Sequence, residues 1–173
     1  RRTICRKVFY KIAHTLNCKS ETLFLRTMLK AALVNHCLSI LMNRAASADK
    51  QLQDLKEDLQ GESKSSAGDK HETGRAMVQL EMEKLADQRK DLQLKLDQWS
   101  KIDFSREGNR IETGSLVMTD SGSFLIAIAL GSIEFDNGAV VVLSPQSPLG
   151  IKLMGKVPED QVEVNGRKFT INS

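Results

Sequence analysis

Two heptad seams separated by a short break rich in glycine and serine constrain this chain more than any other feature. From Leu41 the apolar or small residues fall at Leu41, Ala45, Ala48, Leu52, Leu55 and Leu59, at intervals of 4, 3, 4, 3 and 4. Such alternation keeps one stripe of an α-helix facing a partner helix. Past the break, Val78, Met82, Leu85, Arg89, Leu92, Leu96 and Trp99 repeat the spacing, with Arg89 as the one polar intruder. In the break, Gly61 suits the left-handed residue past a helix end. Ser66 and Asp69 stand three apart, as a capping box opening the next helix requires. The pattern predicts antiparallel helices over about 29–60 and 66–99, each about 50 Å long at 1.5 Å per residue. An ordinary bundle helix would carry a broader apolar face. Here the flanks bear Lys50, Asp54, Lys56, Glu57, Glu81, Lys84, Asp87 and Lys90, which favours a protruding coiled coil. Trp99 is expected at its base, where the ring can pack against the domain beyond it.

From about residue 105 the texture changes to short apolar alternations at 115–119, 123–130, 139–143, 161–164 and 167–171. Asp120-Ser121-Gly122, Asp136-Asn137-Gly138 and Asn165-Gly166 are turn signals between them. The expected fold class is α+β, a long antiparallel helical hairpin followed by a small antiparallel β domain. Pro145, Pro148 and Gly150 interrupt the strands, and 149–154 suits a short helix or turn. The domain plan is therefore a basic leader over 1–27, the hairpin over 28–100 and the β domain over 101–173.

The leader stands apart by charge. Residues 1–27 hold seven Lys and Arg against Glu21, leaving 18 bases and 21 acids from Met28 onward. Upstream translated sequence or an incomplete start accounts for it better than an import leader does, and no A-x-A signal-peptide cleavage site is visible. A body this mildly acidic does not coat nucleic acid, which takes clustered Lys and Arg to displace counterions. The apolar run at 125–130 falls far short of the roughly 20 residues that cross a bilayer, so no membrane association is expected. Cys5, Cys18 and Cys37 give no disulfide framework, and with His14 and His36 they lack zinc-ligand spacing. A cytoplasmic location fits.

Catalytic constellations are scarce. His71 is the only histidine beyond His36, and it sits near the hairpin turn rather than beside a nucleophile, which argues against a hydrolase triad. Gly150-Ile151-Lys152-Leu153-Met154-Gly155-Lys156 matches seven positions of a phosphate-binding loop, but Val157 stands where Ser or Thr must hold magnesium. What remains is an excess of carboxylate at the hairpin end: Asp54, Glu57, Asp58, Glu62, Asp69 and Glu72 against Lys56, Lys64 and Lys70. Acids near a helix start are common and Asp69 can simply cap. The alternative is a hairpin that delivers carboxylates to a metal centre elsewhere.

A long helical hairpin followed by a β domain containing Val142-Leu143-Ser144-Pro145-Gln146-Ser147-Pro148-Leu149-Gly150-Ile151-Lys152-Leu153-Met154-Gly155-Lys156 resembles the Gre family of bacterial transcription elongation and transcript-cleavage factors. The segment from Lys64 to Arg75 resembles their Bacteroidetes-type branch. The resemblance covers about residues 29–173. It implies an FKBP-like β domain and insertion of the hairpin end into the secondary channel of RNA polymerase. There the tip acids would help hold a second magnesium ion, so that the polymerase cleaves backtracked RNA. Two-metal hydrolysis uses such carboxylates because developing charge is shared between two cations.

Transferred residue by residue, this family pattern marks Asp69 and Glu72 as the catalytic, transiently metal-holding pair. Asp54 and Glu57 are the alternative, with Asp58 and Glu62 also at the tip. In Asp54-Leu55-Lys56-Glu57 the letters match the family's acidic motif, but Asp58 replaces its Asn. Ser144, Pro145, Pro148, Leu149, Gly150, Gly155 and Lys156 are expected to bind polymerase, with Leu149 and Leu153 open to a core role instead. The expected factor is a monomer with no cofactor of its own, assisting the polymerase's Mg2+ chemistry rather than being an enzyme, and meeting RNA and DNA only inside the transcription complex. Two other readings stand beside this one: a non-catalytic regulator occupying the channel, and a coiled-coil adaptor unrelated to transcription. A prolyl isomerase is disfavoured, since Phe124, Phe135 and Phe169 are the only aromatics past residue 105.

Overall fold

A computed structural model describes residues 19–62, 70–136 and 138–172, with side chains from 26–59, 74–136 and 138–172. Helix α1 spans Lys19–Glu62 and α2 spans Lys70–Ser100. Four strands come next: β1 Leu116–Thr119, β2 Gly122–Ile126, β3 Gly131–Phe135 and β4 Gly138–Leu143. Then come helix α3 Pro148–Leu153 and the hairpin of β5 Gln161–Val164 with β6 Arg167–Thr170. This is the α+β order expected: paired long helices, then a small sheet domain. A unit boundary falls between His36 and Cys37, so the helical seam from Leu41 and the whole β domain lie in the second unit.

Helix α1 begins at Lys19, well before the expected start near 29. A change of charge does not break a helix, and no Gly or Pro occurs from Lys19 to Gln60. The helix also runs through Gly61 to Glu62, so this glycine does not lie past the helix end. A single glycine in a helix costs only about 1 kcal/mol. Helix α2 starts at Lys70 rather than 66, and the capping pair of Ser66 and Asp69 lies outside the described residues.

The seam is where the heptads put it. Arg89 Nε donates to Asp49 Oδ1 at 2.7 Å, a contact that a chain leaving α1 at Glu62 and entering α2 at Lys70 makes only by folding back antiparallel. Cys37, Leu41, Ala45, Ala48 and Trp99 are buried. Leu52, Leu55, Leu59, Val78, Met82, Leu85, Leu92 and Leu96 are half-buried, while the flanking charges Lys50, Asp54, Lys56, Glu57, Glu81, Lys84, Asp87 and Lys90 are exposed. Two helices alone leave the sides of their seam open, so half-burial is the natural state of these leucines. Trp99 stacks on Phe104 of the following segment, with ring centroids 4.7 Å apart and an interplanar angle of 41°.

The sheet order is β1-β2-β4-β3. β1 and β2 pair antiparallel, as do β3 and β4, but β2 and β4 run parallel. The antiparallel domain expected from the sequence thus holds one parallel pair: residues 127–130 carry the chain past the neighbouring position, and β4 returns into the gap. The alternation pattern runs a single strand to 130 and gives no separate strand at β3. That strand's own alternation is short, with Ile133 buried between exposed Ser132 and Glu134. The turn signals fare better. Asp136 and Asn165 adopt φ of 49° and 51°, and Gly166 75°, the left-handed backbone of two-residue hairpin loops.

One core holds the domain together: Ile111, Val117, Phe124, Ile126, Leu143, Leu153, Val162 and Ile171, with Val141, Leu149, Met154 and Phe169 packed against it. Phe124 and Phe169 meet edge to face at 5.9 Å and 83°, a favoured aromatic geometry. Both rings pack into this core.

Candidate functional site

Two surfaces answer to the sequence-based assignment. The first is the last stretch of α1. Asp54, Glu57 and Asp58 are all exposed, and their separations of three and four residues put them on one stripe of the helix, apart from Leu55 and Leu59 in the seam. Gln53 Nε2 donates to Glu57 Oε1 at 2.7 Å, so this carboxylate already has a partner on its own helix. Among the described residues no group of three or more His, Cys, Asp or Glu is arranged to hold a metal ion. Carboxylates on one exposed stripe offer hard oxygen donors suited to Mg2+, but they do not converge, and a metal there would need ligands from another molecule.

Asp69 lies outside the described residues. Glu62 closes α1 and Glu72 falls in the first turn of α2, with both side chains outside the described residues, as is that of His71. The preferred pair, Asp69 and Glu72, is thus not brought together by anything described, and the alternative pair of Asp54 and Glu57 is placed side by side on an open helix surface.

The second surface is the turn and helix at 144–156. Ser144 O accepts from Ser147 N at 3.0 Å, and Ser144 Oγ from Gln146 N at 3.2 Å. Ser147 caps α3, its Oγ accepting from Gly150 N at 3.0 Å, and Pro148 occupies the first turn, where no N–H is missed. Leu153 is fully buried and half-buried Leu149 packs against the same core. Gly150 is also buried. A Cβ there would overlap the carbonyl oxygen of Ser144 and approach Ser147 Oγ to 2.9 Å, so only glycine fits. Leu149 and Gly150 thus support the fold of this segment, and half-buried Pro145 and Ser144 form the turn that feeds the helix.

What this stretch presents outward is different. Ile151 is 63% exposed, beside exposed Pro148, Lys152 and Gly155. Ile111 N donates to Lys156 O at 2.9 Å and Gly155 N to Ile111 O at 2.8 Å, which brings exposed Arg110 alongside half-buried Lys156. Sequence reasoning misses Ile151, Lys152 and Arg110. The helical period holds the clue for Ile151: when Leu149 and Leu153 point inward, a residue midway between them points out.

Several alternatives lose their geometry. Residues 150–153 are helical rather than a loop after a strand. Their N–H groups and those just beyond are taken by Ser147 Oγ, Ser147 O, Gly150 O, Ile111 O and Leu153 O, leaving no cradle for phosphate. Burial pushes the Cys37 thiol up to about 11, which keeps it protonated at neutral pH, and among the described residues it joins no group arranged to hold a metal; Cys5, Cys18 and His14 lie outside the described residues. An open groove of about 370 Å³ between the helices is lined by Arg44, Ser47, Ala48, Gln51, Gln88, Asp91 and Leu92. It lies where Ala48 leaves room beside Leu92, away from the tip acids. Among the described residues no helix is long and apolar enough to cross a membrane.

Set against protein families and curated proteins, the chain has no match. Among solved structures it is similar to the crystal structure of the GreA factor homolog 1 (Gfh1) protein of Thermus thermophilus. The identity is 19%, over 79% of this chain and 92% of that one, with a TM-score of 0.31. It is also similar to Thermus aquaticus Gfh1, at 20% identity over 78% of this chain and 91% of that one, with a TM-score of 0.29.

Proposed function

We propose that this chain is a Gre-like accessory factor of RNA polymerase, which docks through the α3 surface and presents the end of its helical hairpin to the polymerase's secondary channel. The observation that carries the reading is the combination of a two-helix seam with charged flanks and a β domain in which the Ser144–Lys156 segment, the most specific part of the sequence resemblance, folds as a capped helix on the core. Docking then falls to the outward residues Pro148, Ile151, Lys152, Gly155 and Lys156. Leu149 and Gly150 support it from beneath.

At the hairpin end the acids would complete a magnesium site shared with the polymerase. There they would stabilise the charge that builds up when water attacks the RNA phosphodiester. One observation favours the non-catalytic regulator as a second reading: Glu57 of the alternative pair is already bonded to Gln53, and Asp58 stands where the family motif has Asn.

A stalled, backtracked polymerase complex tests both. With magnesium, the added protein should shorten the transcript. Asp69→Asn with Glu72→Gln should abolish shortening while polymerase affinity stays within about twofold, and Asp54→Asn with Glu57→Gln should have little effect. The opposite result moves the site to α1. Binding without shortening by the unaltered protein selects the regulator. Absence of binding, also with Ile151→Asp as the control for docking, rejects both readings in favour of an unrelated adaptor.

A further inference from the structure

One edge of the four-stranded sheet is covered, and among the described residues the other is bare. Along β1 the C-terminal segment adds a partial strand: Asp120 N donates to Thr170 O at 3.2 Å, Asn172 N donates to Met118 O at 2.8 Å, and Thr119 bridges Ile171. The opposite edge is β3. Its register pairs Gly131 with Val142, Ile133 with Val140 and Phe135 with Gly138. Val142 O is turned to the β3 side, where it accepts from Leu130 N at 3.3 Å, while Leu143 O is turned the other way and accepts from Ala127 N at 2.8 Å. Residues of an antiparallel pair exchange bonds at alternate positions. Gly131, Ile133 and Phe135 therefore spend their backbone groups on β4, and the N–H and C=O groups of Ser132 and Glu134 point out from the edge. Among the described residues nothing bonds to those outward groups.

The stretch of chain that forms the four-stranded sheet carries charge of one sign. No Lys or Arg occurs between Arg110 and Lys152, whereas that stretch holds Glu112, Asp120, Glu134 and Asp136. Glu112 is bonded to Arg106 and Asp120 to Thr170, but Glu134 is exposed and, among the described residues, has no ion pair. A charged residue on an edge strand hinders pairing with a like edge. It favours a strand of opposite charge, since oppositely charged residues across a ladder attract.

We propose that β3 is an acceptor edge for an extended, Lys- or Arg-bearing segment of a protein partner, which adds a further strand along Ser132 and Glu134. The main-chain groups of Ser132 and Glu134 supply the ladder bonds and the Glu134 carboxylate selects the cationic side chain, the division of labour usual in strand addition. This inference stands apart from polymerase docking, which uses α3, and neither depends on the other.

The test is a titration of the isotopically labelled full chain with a synthetic Thr-Lys-Val-Lys-Thr peptide, read by amide resonances and hydrogen exchange. The Ser132 and Glu134 amides should shift, and their exchange should slow at least tenfold on saturation. Ser132→Pro removes one outward N–H at a position where an edge strand tolerates proline, and should weaken binding at least tenfold with the circular dichroism spectrum unchanged. Should that variant not fold, Glu134→Lys decides: it should weaken the Lys peptide at least tenfold and admit a Glu counterpart. The proposal is overturned if the Glu peptide binds the unaltered protein equally, if the shifts fall on Asp54, Glu57 and Asp58 instead, if Glu134→Lys leaves binding unchanged, or if the edge pairs with a second copy of the chain.

Discussion

In the helical hairpin, Leu52, Leu55, Leu59, Leu85 and Leu92 stay half-buried, whereas in the β domain Leu125, Ile126, Leu153 and Ile171 are wholly or almost wholly removed from solvent. The two regions hold their folds differently. Toward its tip a two-helix seam has no third side, so these leucines, unlike fully buried Leu41, keep part of their surface in water and contribute correspondingly less. The β domain closes its core with a helix, a sheet and a hairpin, and there a single residue touches several elements at once. The candidate surfaces divide in the same way: the acids of α1 lie on an open helix flank, while the outward residues of α3 ride on a helix that the core fixes in place.

The largest effect expected from this contrast is in the core beneath α3. Leu153→Ala should cost about 3–4 kcal/mol, within the range for deleting a buried leucine side chain, while Leu55→Ala should cost about half that or less because half of its transfer energy was never gained. Urea unfolding followed by circular dichroism measures both, and equal costs would erase the distinction. Gly150→Ala belongs with Leu153, since its methyl group has no space beneath Ser144, and a cost below about 1 kcal/mol would show that the turn yields.

Much of this division is legible in the sequence, for identifiable reasons. Heptad spacing is a one-dimensional signal, and every seam position from Leu41 to Trp99 is buried or half-buried as the period requires. Arg89 interrupts the pattern and turns out to be the residue that ties the helices together through Asp49. Strand order carries no such local signature: β4 enters between β2 and β3 through a parallel pairing that alternation alone does not encode. Strand β3 escapes the alternation pattern although the Asp136-Asn137-Gly138 signal demands a strand on each side. The stretch matched to family docking residues mixes two environments, since Gly150 and Leu149 pack toward the core and Ile151 faces solvent, and only burial separates them.

At the buried end of the seam the contrast becomes pH-dependent. Cys37 is fully buried, and burial raises its thiol from 9.0 to about 11. The folded state prefers the neutral thiol, so this contribution is whole below pH 9 and declines as pH rises from 9 toward 11, by on the order of 2 kcal/mol. Comparing the unaltered protein with Cys37→Ala isolates it from other titrations: the stability gap between them should narrow across that window. A gap that stays constant would place the thiol in contact with water.

A smaller effect separates the α3 cap from the body it sits on. Ser147→Ala removes the acceptor for Gly150 N and should cost about 1 kcal/mol, as capping residues generally do. Partial fraying of a six-residue helix should also loosen Ile151 and Lys152. If docking uses this face, polymerase affinity should fall by more than the stability change predicts; a loss of stability alone would confine Ser147 to the fold.

The smallest effect concerns a polar tie across the seam. Arg89 and Asp49 meet at 2.7 Å with side chains 29% and 54% exposed, a setting in which an ion pair contributes about 0.5 kcal/mol and fades in salt. Arg89 Nη1 also donates to Gln93 Oε1 at 3.0 Å, and Gln93 Nε2 to Asp97 Oδ1 at 2.9 Å, so the pair belongs to a chain of bonds along α2. A double-mutant cycle of Asp49→Ala and Arg89→Ala should give a coupling of about 0.5 kcal/mol that shrinks at high salt, on the order of 1 M NaCl. Arg89→Leu should in contrast stabilise the hairpin, because it completes the apolar seam that the arginine interrupts. If Arg89→Leu instead weakens pairing or yields a second oligomeric state, the arginine serves to fix which helix pairs with which, and the seam's one irregular position is a determinant of register rather than a loss of stability.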